Sequence, residues 1–253
     1  MAGPPLDLPA RSPKPRDQGI THLMDRGLSI REVDDLMEVA GDAVDIVKLG
    51  FGTAAATGNL EAKLDRYRAH GVPVCFGGTL TELAIVQDRV DEYVAWVRSL
   101  GIDLVEVSDG TIALDEQDKR ALIERLAGAG FTVLSEVGSK DATEIMAPYR
   151  WVEQIEAELA AGAWKVICEG RENGTAGIAR PDGELRQGLI DEIAHAVDPR
   201  SIIFEAPLKE QQVVLIKRFG PEVNLGNIPP HEVLTLETMR LGLRSDTMEG
   251  PRR

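Results

Sequence analysis

The chain has 253 residues, of which 43% are hydrophobic, and it can therefore bury a sizeable core within one domain. Its formal net charge is −14, from 42 acidic and 28 basic residues. This balance argues against nucleic acid and anionic membranes as partners, although a local cluster of cations can still bind a small anion. The sequence contains no apolar run of bilayer length and no signal-peptide pattern at its start.

The cysteines and histidines give no sign of a disulfide or a zinc site. Cys75 and Cys168 each lie inside a predicted strand, and these strands are not neighbours along the chain. We predict that both are reduced core residues of a cytoplasmic protein. The four histidines show no ligand spacing, which argues against zinc.

The chain divides into an N-terminal arm, one domain and a short tail. Residues 1–15 contain five prolines and little apolar periodicity, which predicts a flexible or clamping arm. Residues 16–248 form the predicted domain, and residues 249–253 form the tail.

Apolar strands alternate with helical patterns through the whole domain. In the first unit, a strand over 19–25 precedes Ser29, a candidate N-cap, and a helix with an apolar face. A single long helix is predicted across 83–97, and the polar segment 172–177 is typical of a mobile lid. The predicted strands are 19–25, 44–49, 72–76, 104–107, 132–137, 164–168, 201–205 and 223–225.

Eight strand–helix units of regular spacing predict a closed (β/α)₈ TIM barrel in a single α/β domain. An open doubly wound sheet is the alternative. That fold would favour a G-x-G-x-x-G turn after the first strand, and this sequence has none there.

Polar side chains close seven of the eight predicted strands. The carboxyl ends of barrel strands meet at one mouth, so we expect these side chains to converge there. The third strand instead ends in Gly77 and Gly78, where the backbone can approach a ligand closely. The seven residues are Asp25, Lys48, Glu106, Glu136, Glu169, Glu205 and Asn224.

Three of these carboxylates come from consecutive strands and predict a metal site. Glu106, Glu136 and Glu169 would be lateral neighbours around the mouth, and oxygen-only ligands suit Mg²⁺. The alternative is that some of them pair with Lys48, Lys140 or Arg171 and that no metal binds.

Cations and glycines near the strand ends predict an anion site. A metal, an anion pocket and a lysine together favour proton transfer at a carbon next to a carboxylate. The alternative is covalent catalysis through a Schiff base at Lys48 or Lys140. Lys140 and Lys48 are the predicted catalytic residues. The residues predicted to bind substrate are Arg171, Lys209, Asn227, Gly77 and Gly78.

Long ordered segments of the chain resemble the phosphosulfolactate synthase family, whose members add sulfite to phosphoenolpyruvate on the route to coenzyme M and sulfolactate. The resemblance extends from 14 to 248. The segments that carry it include Val47-Lys48-Leu49-Gly50-Phe51-Gly52-Thr53, Gly77-Gly78-Thr79-Leu80, Val105-Glu106-Val107-Ser108-Asp109-Gly110, Glu136-Val137-Gly138, Glu169-Gly170-Arg171-Glu172 and Phe204-Glu205-Ala206-Pro207.

The resemblance implies a (β/α)₈ barrel, Mg²⁺ dependence and a homo-oligomer, a trimer or a multiple of one. It also implies that sulfite attacks the methylene carbon of phosphoenolpyruvate and that a lysine after the fifth strand, here Lys140, protonates the adjacent carbon. Some family members have a second lysine where this chain has Ser139. Two alternatives stay open: a similar pocket that uses another nucleophile, and a non-catalytic, stress-related homologue.

Overall fold

A computed structural model describes residues 5–139 and 145–248 of the chain. The described residues alternate strictly between short strands and helices. The strands are β1 (Thr21–Asp25), β2 (Ile46–Leu49), β3 (Val74–Phe76), β4 (Leu104–Val107), β5 (Thr132–Val137), β6 (Lys165–Cys168), β7 (Ile202–Glu205) and β8 (Leu225–Ile228). The α-helices are α1 (Ile30–Ala40), α2 (Thr53–Ala56), α3 (Leu60–Ala69), α4 (Gly78–Val86), α5 (Val90–Ser99), α6 (Glu116–Gly128), α7 (Pro148–Ala160), α8 (Gln187–Ala196), α9 (Lys209–Phe219) and α10 (Val233–Arg240).

The eight strands form one parallel sheet that wraps into a barrel. Their order is β3-β2-β1-β8-β7-β6-β5-β4, and every pair of neighbours in this order is joined by parallel pairing. The two end strands, β3 and β4, lie side by side without a ladder of backbone hydrogen bonds. This arrangement confirms the predicted single-domain (β/α)₈ barrel and excludes the open doubly wound sheet.

Two apolar layers stabilise the barrel. The larger lies between the strands and the surrounding helices, and the smaller fills the interior of the barrel. Side chains alternate between the two faces of a strand, so every second residue points inward. The inner layer consists of Ile20, Ile46, Cys75, Leu104, Leu134, Ile167 and Ile203. Both cysteines are free and buried, as predicted.

The first helix begins where the sequence predicts it. The side chain of Ser29 accepts a hydrogen bond from the backbone N–H of Glu32, and the Glu32 carboxylate accepts one from the backbone N–H of Ser29. This capping box satisfies two N–H groups that a helix start leaves without partners. Val33 and Met37 then turn the apolar face of α1 toward the core.

The long helix predicted across 83–97 is wrong. The structure divides this region into α4 and α5, because Asp88 adopts a left-handed conformation with φ of 54°. The backbone N–H of Arg89 donates to the carbonyl of Ala84 at 2.8 Å, which closes the end of α4. Aspartate tolerates this conformation better than most residues, and a continuous apolar pattern does not report it.

Cationic side chains attach the N-terminal segment to the strand-start end of the barrel. Arg11 donates from Nη2 to the carbonyl of Gly19 at 2.9 Å, and Lys14 donates to the carbonyl of Gly41 at 2.7 Å. Arg16 forms an ion pair with Asp45 at 2.9 Å. The described part of this segment therefore lies opposite the barrel mouth.

Within the described residues, no helix has both the length and the apolar character that crossing a bilayer requires.

Candidate active site

A polar cavity of about 310 Å³ opens at the carboxyl ends of the strands. It combines glutamates, two cations, glycines and an asparagine, in contrast to the apolar layer below it. Its lining residues are Met24, Lys48, Gly50, Phe51, Gly77, Gly78, Thr79, Glu106, Thr111, Glu136, Glu169, Arg171, Glu172, Glu205 and Asn227.

The two-residue period of a strand explains why these side chains meet. An inward-facing residue is followed two positions later by another inward-facing residue, one layer closer to the mouth. Leu134 thus lies in the apolar layer and Glu136 in the cavity, and Ile167 precedes Glu169 in the same way. The predicted metal ligands Glu106, Glu136 and Glu169 therefore line one cavity, and each is at most 2% exposed.

Lys48 lies among three of the cavity carboxylates. Its Nζ is 3.2 Å from Glu106 Oε2, 3.3 Å from Glu205 Oε1 and 3.8 Å from Glu136 Oε2. Burial by itself lowers the pKa of Lys48, but the three carboxylates outweigh it and raise this pKa well above its ordinary value. Lys48 is therefore a fixed ammonium group at neutral pH.

Glu106 connects the two strands that no ladder joins. Its Oε1 accepts a hydrogen bond from the backbone N–H of Gly78 at 2.6 Å, and its carbonyl accepts one from Thr81 Oγ1 at 2.7 Å. Both donors belong to α4, which follows β3. Burial raises the pKa of Glu106 to about 7, although Lys48 acts in the opposite direction. Glu106 is therefore a carboxyl group whose charge responds to small changes in its surroundings.

The turn after β6 brings Glu169 and Arg171 to the cavity. The backbone N–H of Gly170 donates to Glu205 Oε2 at 3.0 Å, and the backbone N–H of Arg171 donates to Glu169 Oε1. A Cβ atom on Gly170 would lie 2.8 Å from the carbonyl oxygen of Glu205, so this position requires glycine. The Arg171 side chain lines the cavity and is partly exposed, with Nε 3.7 Å from Glu172 Oε2.

A buried lysine outside the barrel fixes the backbone beside Glu136. Lys119 on α6 donates to the carbonyl of Glu136 at 2.6 Å and to Asp109 Oδ1 at 2.9 Å. It also forms an ion pair with Glu158 at 2.8 Å. This network ties the end of β5 to α6 and α7, and sequence patterning did not identify it because helix periodicity assigns Lys119 no special place.

Left-handed backbone conformations concentrate at the cavity. Phe51, Arg171 and Asn227 have φ values of 54°, 62° and 56°, and all three residues line it. Such conformations cost free energy in non-glycine residues and are common at functional sites. Asn227 is 5% exposed, and its Oδ1 has no hydrogen-bond partner among the described residues. A buried polar atom without a partner is suited to bind a ligand.

The two glycines after β3 lie at the cavity but use their N–H groups within the protein. Gly77 donates to the carbonyl of Leu49 at 3.1 Å, and Gly78 donates to Glu106. A Cβ atom on Gly78 would lie 2.1 Å from Ser108 Oγ. These glycines therefore permit close packing at the seam, and their contact with substrate stays a prediction.

Two polar strand-end residues do not face the mouth, which corrects the predicted ring of seven. Asp25 lies one position beyond the inward-facing Met24 and therefore points outward, where Lys63 and the Tyr67 hydroxyl contact it at 2.6 and 2.8 Å. Asn224 precedes β8 and donates to the carbonyl of Ile202, at the opposite end of the barrel. The eighth strand is shifted along the chain relative to the prediction.

The two remaining predicted lysines are not part of the described cavity. Lys209 forms an ion pair with Asp246 at 2.8 Å and does not line it, so its substrate contact stays a prediction. Lys140 lies outside the described residues. The described chain before it ends with Gly138 and Ser139, directly after β5.

The segment predicted as a lid is hydrogen-bonded to the barrel. Gln211 on α9 donates to the carbonyl of Gly174 at 2.9 Å, and the backbone N–H of Gly174 donates to the carbonyl of Arg171 at 3.0 Å. Ala176 is completely buried. In this structure the segment therefore packs against α9 and the turn after β6.

Beneath the carboxylates lies a histidine–cysteine pair that sequence spacing missed. His22 Nε2 is 3.8 Å from Cys75 Sγ, and both residues are completely buried. Burial and the nearby Lys48 ammonium lower the pKa of His22 well below its ordinary value. The two residues are far apart in sequence, and their strands are not paired, so no short sequence motif predicts their contact.

A larger cavity of about 600 Å³ lies at the other end of the barrel, beside the unpaired edges of β3 and β4. Its lining is mainly apolar and includes Val72, Phe131 and Trp164. The smaller cavity at the mouth is the better candidate for an active site, because it alone of the two contains the carboxylate and lysine cluster.

Comparison with known proteins assigns the chain to a family. Residues 9–246 match the sequence profile of (2R)-phospho-3-sulfolactate synthase (ComA). Phosphosulfolactate synthase of Methanothermobacter thermautotrophicus is 43% identical over 245 residues, which cover 95% of each chain. The Bacillus subtilis enzyme of the same name is 42% identical over 96% of this chain and 97% of its own.

A solved structure shows the same fold at lower identity. The 3-hexulose-6-phosphate synthase from Salmonella typhimurium is 17% identical, with a TM-score of 0.54 over 90% of this chain and 92% of the other. At this identity the likeness concerns the barrel alone. The extended match to the enzymes above, combined with a polar cavity at the barrel mouth, shows that this chain belongs to the phosphosulfolactate synthase family.

Proposed function

We propose that the protein catalyses the Mg²⁺-dependent addition of sulfite to phosphoenolpyruvate, which yields (2R)-phospho-3-sulfolactate. A carbon–sulfur bond forms at the methylene carbon of phosphoenolpyruvate, and a proton is added to the carbon that bears the phosphate. The observation that carries the proposal is the convergence of the strand-end glutamates and Lys48 in one cavity, within a chain that matches this family over nearly its whole length.

The donor set of the cavity fits a hard divalent cation. Glu106, Glu136 and Glu169 offer only oxygen atoms, and Mg²⁺ prefers oxygen ligands. Among the described residues that line the cavity, five glutamates accompany one lysine and one arginine, so a divalent cation would offset an excess of negative charge. When bound by these carboxylates, Mg²⁺ would supply positive charge to the carboxylate of the substrate as its electron density rises.

Lys48 contributes a permanent positive charge at the cavity floor. Its raised pKa keeps it protonated, and the ammonium group can attract the carboxylate or phosphate of the substrate and stabilise charge that develops during addition. A Schiff base requires a neutral amine, so the same raised pKa argues against Lys48 as a covalent nucleophile.

Proton delivery is assigned to Lys140 through the family resemblance. The residue follows β5, the strand that carries Glu136, and family members use a lysine after this strand to protonate the intermediate. Lys48 is protonated as well, but its high pKa makes it a poor acid. We therefore assign the proton transfer to Lys140 and electrostatic stabilisation to Lys48.

Anion binding is assigned to the rim of the cavity. Arg171 and Asn227 both have a left-handed backbone conformation there, and Arg171 offers several N–H donors to a phosphate or sulfite oxygen. In this assignment Arg171→Met raises the KM for an anionic substrate about tenfold or more and leaves kcat less affected.

A direct assay tests the activity. The whole protein is mixed with Mg²⁺, phosphoenolpyruvate and sulfite, and the phosphorus NMR signals of substrate and product are followed. We expect conversion that stops on chelation of the metal, and loss of turnover in Lys140→Met with substrate binding retained. Lys217→Met serves as the matched control, because Lys217 is exposed on α9 and does not line the described cavity.

Three outcomes would contradict this proposal. Turnover with another nucleophile and none with sulfite would favour the alternative reaction. Absence of both Mg²⁺ and phosphoenolpyruvate binding by calorimetry would favour a non-catalytic homologue. Normal turnover of Lys140→Met would refute the assignment of the proton donor alone.

A further inference from the structure

Three buried side chains of the types that bind metals meet just below the cavity, and one of them, Glu106, also belongs to the oxygen-only cluster. His22 on β1, Cys75 on β3 and Glu106 on β4 each present one ligand atom, and these atoms all lie within 4.8 Å of one another. All three residues are buried, with exposures of at most 1%. The set lies between the apolar plug, to which Cys75 belongs, and the cavity, to which Glu106 belongs.

We propose that His22, Cys75 and Glu106 bind a thiophilic divalent cation such as Zn²⁺ or Co²⁺, at a site that shares Glu106 with the proposed Mg²⁺ ligands but has nitrogen and sulfur donors in place of Glu136 and Glu169. The donors are one imidazole nitrogen, one thiolate and one carboxylate oxygen, a mixture that suits Zn²⁺ and Co²⁺ but not Mg²⁺. This inference concerns binding and stands independently of the proposed sulfite reaction.

The geometry of the pair agrees with tetrahedral coordination. Zn–S bonds of about 2.3 Å and Zn–N bonds of about 2.0–2.1 Å place the two ligand atoms roughly 3.6 Å apart at a tetrahedral angle. The observed separation between Cys75 Sγ and His22 Nε2 is 3.8 Å, so a cation needs only a small adjustment of the two side chains. Three protein ligands leave a fourth position for water.

One further observation favours a cation at this place. Glu106 Oε2 has no hydrogen-bond partner among the described residues, although Lys48 lies 3.2 Å from it. Buried polar atoms without a hydrogen-bond partner are rare, and a bound ion is one of the explanations for them.

Lys48 can move away from Glu106 and still keep two of its three carboxylate partners. Its Nζ is already 3.3 Å from Glu205 Oε1 and 3.8 Å from Glu136 Oε2, so a shift toward these carboxylates keeps the ammonium group paired. Cation binding then proceeds with release of the Cys75 thiol proton to solvent and formation of a metal–sulfur bond. No oxidant or reductant takes part.

Cobalt is the probe of choice, because a Co²⁺–thiolate bond gives a charge-transfer band in the near ultraviolet that carboxylate ligands do not give. The whole protein is freed of metal by a chelator and titrated with Co²⁺ in the presence of Mg²⁺. We expect one equivalent to produce the band and one equivalent of Zn²⁺ to abolish it. Absence of the band at saturating Co²⁺ would overturn the proposal.

The chain provides a matched control for the sulfur ligand. Cys168 is the second buried cysteine and faces the outer core rather than the barrel interior. The band is expected to persist in Cys168→Ser and to vanish in Cys75→Ser, and His22→Gln is expected to weaken Co²⁺ binding about tenfold or more. Persistence of the band in Cys75→Ser would refute the site.

A measurement on the unaltered chain covers the case in which Cys75→Ser does not fold. X-ray absorption of the Zn²⁺-loaded wild-type protein, repeated with Cys168→Ser, should detect a single sulfur neighbour at about 2.3 Å in both. A zinc ion with only oxygen and nitrogen neighbours would show that the His22–Cys75 contact is merely a hydrogen bond within the core.

Discussion

Replacement of Lys48 by methionine tests most directly whether its ammonium group stabilises the buried carboxylates of the cavity. The substitution keeps an unbranched side chain of similar length and removes the ammonium group. In the native protein this group lies within 4 Å of Glu106, Glu136 and Glu205, and all four residues are at most 4% exposed. The variant therefore loses the cation that accompanies three buried carboxylates.

The expected loss of stability is about 3–5 kcal/mol, the usual cost of removing one partner of a buried ion pair. The loss should depend on pH through Glu106, whose folded-state pKa of about 7 lies above the ordinary value of 4.5. Because the unfolded chain releases this proton first, the free energy of unfolding falls as pH rises between these two values.

Removal of Lys48 raises the pKa of Glu106 further, since the ammonium group acts to lower it. At pH 6 Glu106 is then protonated in the variant, which removes part of the uncompensated negative charge. At pH 8 less of it is protonated, so more of the destabilisation remains. Each unit of added shift in this pKa is worth about 1.4 kcal/mol. We therefore expect the destabilisation by Lys48→Met to be at least about 1 kcal/mol larger at pH 8 than at pH 6.

Urea denaturation of metal-free protein at the two pH values measures these differences. Lys209→Met is the control, because Lys209 and Asp246 form one ion pair and each side chain is about one-third exposed. Such a pair contributes less than about 1 kcal/mol. If Lys48→Met lost no more stability than Lys209→Met, or lost the same amount at both pH values, the reasoning about this cluster would be refuted.

Two further predictions concern the walls of the cavity. A Cβ atom on Gly138, whose φ is 121°, would clash with Trp151 Cη2, so Gly138→Ala should lower the melting temperature and turnover. Gly188→Ala is the control, because Gly188 is an exposed helical residue with open space around it; this substitution should leave turnover unchanged and should not lower the melting temperature. Gln211→Ala removes the donor to the carbonyl of Gly174. Limited proteolysis should then cut segment 172–177 faster than in the wild type. An unchanged cleavage rate would show that this contact does not hold the segment in place.

The chain sequence was sufficient to predict the barrel. Alternation of apolar strands and helical patterns specifies parallel strands with helical crossovers, and regular spacing of eight units favours closure. The four strand-end glutamates of the cavity were also predictable, because each follows an apolar inward-facing residue by two positions, as Glu136 follows Leu134. The helix break at Asp88 was not, since it depends on a single left-handed residue within a continuous apolar pattern.

Which face of its strand each strand-end side chain occupies could be determined only from the folded structure. A shift of one residue moves a side chain to the other face of a strand, which is why Asp25 points away from the cavity and its neighbour Met24 points into it. The eighth strand ends three residues later than predicted, so Asn227 rather than Asn224 lies at the mouth. Strand limits read from a sequence are not accurate to one residue.

By itself, the sequence determined the barrel, the family and the glutamate layer, because these follow from local periodicity and from long ordered segments. Only the tertiary structure decided that Lys48 lies among three carboxylates and that His22 meets Cys75, because contacts across the barrel axis join strands that are not neighbours along the chain. Closure and stagger of the whole sheet set these distances, and no local pattern in the sequence contains that information.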